Sequence, residues 1–226
     1  NEGWYNESSV HSVIYDIFDD ASDGLDATAV GFGPIYEGMT TWHAQTDAVT
    51  SLFSLIPELK NRLPADAANI DQLLAAQSIV GSSMDIWAST ETTDAGQGAD
   101  VLPVYTELAL GPGNTATVCT ISQFGDFNRL SNRRFLRFEV PVADEYQIVV
   151  TGPADSDPDL AIYRQGRRAI FNGFLAGEER AVIPLSAGTH VLEVYDSCIV
   201  DGTEINAICP NVTPARTCLN ATVEPL

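Results

Sequence analysis

The sequence is poor in positive charge. Against 31 carboxylates stand only 11 basic side chains in 226 residues, and Lys60 is the single lysine. A formal charge of −20 repels phosphate backbones and anionic bilayers, which excludes nucleic acid and acidic membrane surfaces as partners. Long apolar runs are also lacking, so no transmembrane segment is expected. No C-x-x-C occurs, which leaves out a zinc knuckle and haem attachment. His11, His43 and His190 lie too far apart for H-E-x-x-H. There is no G-x-S-x-G, and Gly31-Phe32-Gly33-Pro34 has neither the third glycine nor the lysine of a phosphate loop.

What is present is enough to build a core. At 45% hydrophobic the chain is too apolar for disorder, and its length allows one large domain or two modest ones. Residues 1–100 carry 16 carboxylates and two basic groups, whereas residues 101–226 carry 15 and nine, all arginine. That shift suggests a boundary near residue 100, with Ser89 to Asp100 as a linker or long surface loop. The start of the chain shows no basic or apolar leader, so any targeting signal is expected to have been removed. Trp4 and Tyr5 are large apolar groups needing cover, which suggests a piece of a longer precursor.

All four cysteines (Cys119, Cys198, Cys209, Cys218) lie in the second half. An even number suggests two disulfides in an oxidising compartment, with buried free thiols as the alternative. Three pairings are possible; the favoured one is Cys209–Cys218, closing a short proline-containing loop, with Cys119–Cys198 joining two strands.

The first hundred residues carry helical periodicity. Val10, Val13, Ile14, Ile17 and Phe18 predict a helix over residues 8–18, behind the capping candidates Asn6 and Ser8. Further helices are expected over 34–39, from about Asp47 to a break or kink at Pro57, and over 65–77. The second half changes period. Segments 115–122, 134–142, 145–152, 160–164, 180–185 and 189–195 are short, rich in β-branched and aromatic residues, and bounded by turn signals such as Asn172-Gly173 and Ala187-Gly188. A β-sandwich of about seven to nine strands follows.

These segments also resemble a known family. Arg134 to Pro141, Glu145 to Val150, Asp157-Pro158-Asp159-Leu160 and Ala187-Gly188-Thr189 to Tyr195 together resemble the bacterial pre-peptidase C-terminal domain over roughly residues 115–223. The resemblance implies a non-catalytic, jelly-roll-like sandwich associated with secretion, maturation or substrate attachment, some relatives of which bind calcium. The helical half, through Gly3-Trp4-Tyr5-Asn6, Gly31-Phe32-Gly33-Pro34 and Leu74-Ala75-Ala76-Gln77, looks like the end of secreted proteins related to zinc metallopeptidases. Their zinc helix would lie upstream, and no zinc site is expected within this chain.

The resulting expectation is an α+β multidomain protein. An α-helical subdomain (1–100) and a linker (101–114) precede an antiparallel jelly-roll-like β-sandwich (115–226). Its expected role is a secreted or cell-surface accessory module that binds an extracellular protein or polysaccharide, helped by calcium. Two alternatives are a structural subunit that pairs with copies of itself, and a segment that completes an upstream zinc peptidase within its own precursor. Candidate calcium ligands are Asp19, Asp20, Asp23 and Asp26 in one acidic loop and Asp155, Asp157 and Asp159 in another; each loop can equally be a solvated turn. His11, near a helix start, is the only catalytic candidate, as a hydrogen-bond donor to an oxyanion, and a histidine without catalytic duty is the stronger reading. The arginines 129, 133, 134 and 137 suggest an anion site, but the stronger reading puts Arg134 and its alternate positions on the outward face of a strand, paired with carboxylates.

Overall fold

The computed structural model describes residues 2–20, 24, 27–94, 100–122, 129–173, 175–200, 209 and 216–226. The chain divides into two compact units, Asn1–Val104 and Tyr105–Leu226.

The first unit is built from four α-helices among the described residues: α1 (Glu7–Phe18), α2 (Phe32–Glu37), α3 (Leu52–Arg62) and α4 (Ala67–Ala76). The Asn6 side chain caps α1 by accepting from the Ser8 and Ser9 amides at 2.8 and 3.2 Å, which satisfies two of the donors a helix start leaves free. Val13 and Ile17 turn the inner face of α1 into the core. A π-helical turn, Gly38–Trp42, continues directly from α2. Pro57 does not end α3 as its ring chemistry suggested: the helix runs on to Arg62, and its buried face of Leu52, Leu55, Ile56 and Leu59 outweighs the one lost backbone bond. Lys60 donates to Asp71 of α4 and to the Gly81 carbonyl at 3.0 Å, so the single lysine fastens α3 to α4. Trp4 and Tyr5 find their cover inside this unit. The Trp4 ring is buried against Phe53 at 5.9 Å between centroids and donates its indole N–H to the Thr93 carbonyl at 2.8 Å.

The second unit is a two-sheet sandwich. Its strands are β1 (Tyr105–Glu107), β2 (Ala116–Ile121), β3 (Arg134–Val140), β4 (Asp144–Thr151), β5 (Pro158–Arg164), β6 (Arg167–Phe171), β7 (Glu178–Leu185), β8 (Gly188–Asp196) and β9 (Arg216–Pro225). One sheet has the order β1-β3-β8-β5-β6 and the other β2-β9-β4-β7. Alternate residues from both sheets meet in one core: Leu136 and Phe138 of β3, Leu192 and Val194 of β8, Ile148 and Val150 of β4, Leu219 and Val223 of β9. Each such side chain stabilises the fold by about 2 kcal/mol through the apolar area it removes from water.

Three strands lie where none was expected. β1 falls inside the segment read as a linker, and it pairs with β3 in parallel, so the sheets are antiparallel at every other junction. β6 is an edge strand carrying Arg167 and Arg168, and it pairs only with β5. β9 lies between β2 and β4, and it changes the cysteine connectivity. Its ladder sets Cys218 directly opposite Cys119, with α-carbons 4.0 Å apart, and those two form a disulfide; Cys198 pairs with Cys209, 11 residues further on. The expected Cys209–Cys218 and Cys119–Cys198 pairs are therefore wrong. Adjacency in the sheet, not in the sequence, selects the partner.

Candidate functional site

Two places in the sandwich gather chemically capable side chains. The first is a buried group of carboxylates where the β4–β5 and β6–β7 turns meet the end of β8. Asp196 ends β8 with no exposed surface. Its Oδ1 accepts from the Asp157 amide at 3.0 Å and the Cys198 amide at 3.1 Å, and its Oδ2 accepts from the Thr217 hydroxyl at 2.6 Å. That carboxylate caps the short helix α5 (Ser197–Val200) and ties β5, β8 and β9 together beside both disulfides. The peptide of Asp157 answers, its carbonyl accepting from the Ser197 amide at 2.8 Å.

Asp159 sits beside this tie, 4% exposed on β5 and opposite Tyr195 of β8. Burial, reinforced by the charges of Asp157 and Glu179, pushes its carboxyl up from 3.8 to about 7, while hydrogen bonds with Ser197 and Tyr195 oppose the rise. Its Oδ1 accepts no hydrogen bond among the described residues. Near neutral pH this group holds a proton for much of the time. Glu179 of β7 is also buried, but well satisfied: it accepts from the Gly173 amide and from the Arg180 amide at 3.0 Å.

On the same sheet, Glu193 of β8 is 2% exposed and lies 3.0 Å from Arg133 Nε and 3.2 Å from an Arg168 nitrogen. The Arg133 guanidinium stands 4.1 Å from the Tyr195 ring centre and that of Arg168 5.2 Å from Tyr163. Burial, with Glu193 nearby, pushes the Tyr163 phenol up; burial, then the Asp159 charge, does the same for Tyr195. Two cations on one desolvated carboxylate form a charge-compensated structural network. Arg134, expected on the outward face, is buried instead, and so is Arg133, which neutralises the Glu193 carboxylate that β8 supplies. Arg137 pairs with the exposed Glu107.

The second place is a cleft of about 350 Å³ lined by Glu107, Leu108, Ala109, Leu110, Glu139 and Pro141. It forms where the chain leaves β1 and passes the end of β3. The Leu108 amide donates to the Arg137 carbonyl at 2.9 Å, and the Gly111 amide donates to the Val223 carbonyl at 3.0 Å, so the segment is fixed to both sheets. Leu108 is buried and Leu110 packs on the core. Both carboxylates are exposed; Glu139 accepts from the Thr189 hydroxyl at 2.8 Å. The cleft offers an apolar floor between two acids.

The residues singled out from the sequence fare differently. His11 is exposed on α1, its ring 6.4 Å from that of Tyr15, and such a position lacks the dry setting in which an oxyanion contact gains strength. Asp19 ends α1, its amide donating to the Tyr15 carbonyl at 3.0 Å, and Asp20 is exposed. Asp23 and Asp26 lie outside the described residues. Asp155 is exposed while Asp157 and Asp159 are buried, and no group of three or more His, Cys, Asp or Glu among the described residues is placed to hold a metal ion. Among the described residues no helix is long and apolar enough to cross a membrane.

No family model matches the chain, and no curated protein matches it either. Solved structures do. The pre-peptidase C-terminal domain of collagenase from Bacillus anthracis is similar at 12% identity, covering 53% of this chain and 93% of that one, with a TM-score of 0.36. CorA of Methylomicrobium album BG8, a surface-associated copper-binding protein, matches at 8% identity over 54% of this chain and 98% of its own, with a TM-score of 0.38. A carbohydrate-binding module of Cellvibrio mixtus lichenase 5A matches at 10% identity over 40% and 65%, with a TM-score of 0.26. Likeness this distant carries no argument about ligand or activity, and the chain's own residues must supply one.

Proposed function

We propose that the protein is a non-catalytic extracellular binding module that holds a cationic side chain of a partner protein in the Glu107–Glu139 cleft. The observation that carries this reading is the cleft itself. An alkyl stem of lysine or arginine packs on Leu108, Leu110 and Pro141 while its charged head meets Glu139 and shares Glu107 with Arg137. The chain's −20 charge draws such a partner from a distance. Two disulfides suit an oxidising, extracellular setting.

Calorimetric titration with acetylated oligolysine, oligoglutamate and a neutral oligosaccharide tests the reading. Binding of oligolysine alone, weakened about fivefold by Glu139→Gln, supports it. Binding of the oligosaccharide, or equal binding by the variant, removes it. The calcium part of the reading is tested by chelation: a melting temperature that ignores it discards that part.

A further inference from the structure

The β6–β7 turn carries Asn172-Gly173, the dipeptide least protected against imide formation, because glycine has no side chain to shield its amide nitrogen. Asn172 is exposed. The Gly173 amide donates to Oε2 of buried Glu179 at 2.5 Å, and a β-carbon at residue 173 would lie 2.7 Å from that same oxygen. Only glycine lets the carboxylate sit there. The Glu179 carboxylate is itself held in place by the Arg180 amide, at 3.0 Å. A fixed carboxylate thus rests on the one N–H that must be lost when an asparagine side chain closes on its neighbour.

We propose that Asn172 is a built-in deamidation site, with Glu179 as the base that drives ring closure. The Gly173 nitrogen attacks Cγ of Asn172 and its proton passes to Glu179. The Cγ–Nδ2 bond breaks, the departing nitrogen takes that proton back from Glu179, and it leaves as ammonia. Water then opens the imide to aspartate or isoaspartate. No oxidant or cofactor is needed. The product places a new carboxylate on the turn whose neighbour Glu179 already acts on Asp159 through its charge.

Peptide mapping by mass spectrometry of the intact chain, incubated at neutral pH, reads the conversion, with exposed Asn220 as an internal reference. Asn172 is expected to convert about tenfold faster in the folded chain than in the same chain unfolded by denaturant, and Glu179→Gln to abolish the excess. Slower conversion in the folded chain overturns the proposal, since the hydrogen bond then locks the turn instead of activating it. Should the variant fail to fold, the pH profile of the wild type decides. A rate level across neutral pH supports an internal base; a rise of about tenfold per pH unit, the hydroxide dependence of an unfolded chain, overturns it.

Discussion

The two units reach stability by opposite routes. In residues 1–104 each helix is closed by bonds between near neighbours, and side-chain contacts such as Trp4 to Thr93 and Thr28 to Asp66 tie the helices over longer range. In residues 105–226 the elements themselves are closed by distant partners: Cys119 meets Cys218 across 99 residues, and Glu107 meets Arg137 across 30. The first unit contains the one lysine, all three tryptophans and no cysteine; the second contains both disulfides and no tryptophan. The contrast teaches where order comes from. Short-range order needs caps and an apolar stripe, whereas a sandwich must offset the entropy of long loops, which covalent links and buried ion networks help to do.

This division makes the units separately readable, since tryptophan fluorescence reports only the first. The largest effect is expected from the double variant Cys119→Ala/Cys218→Ala, which should cost the sandwich about 4 kcal/mol because it frees a long loop in the unfolded chain. Its transition, followed by far-ultraviolet circular dichroism, should fall while the tryptophan transition stays. Equal shifts in both signals would break the comparison, showing one cooperative unit.

Next comes acidity. Asp159 binds its proton more tightly folded, at about 7, than its ordinary 3.8. The folded state therefore holds more protons between those values, and the stability this group contributes is greatest at low pH and lost as pH rises through 7. The span is worth on the order of 2–4 kcal/mol. Urea unfolding of the sandwich at about pH 5 and about pH 8 should show this slope, and Asp159→Asn should flatten it. Identical slopes for variant and wild type would refute the cause assigned.

The smallest effect sharpens the other side. Asn6→Ala removes the α1 cap and should cost about 1 kcal/mol, seen in tryptophan fluorescence and absent from the sandwich signal. A larger loss there would mean that α1 contributes more than a local element.

Much of this arrangement was legible beforehand, and unevenly. The stripe Val13–Ile17 and the cap Asn6 pointed to α1 because both act within a few residues. β3, β4 and β8 were visible through β-branched runs between turns. β9 was not, although Thr217, Leu219, Ala221 and Val223 alternate inward, because Cys218 and the nearby prolines suggested a short loop. β6 hid behind Arg167 and Arg168, residues that edge strands tolerate. The acid cleft gave no signal at all: Glu107 and Glu139 are 32 residues apart in sequence and are joined only by the parallel β1–β3 pair.

The sequence by itself determined the charge, the division into a helical and a β-rich region, and the even cysteine count that implies disulfides. Those properties are sums or short-range patterns, readable wherever neighbours act on neighbours. Tertiary structure alone decided which cysteines pair, why Arg133 is buried, and which carboxylates crowd Asp159. Each depends on residues brought together by β8 and β9 from far along the chain, and in a low-dielectric interior that proximity, not residue type, sets the charge a group can carry.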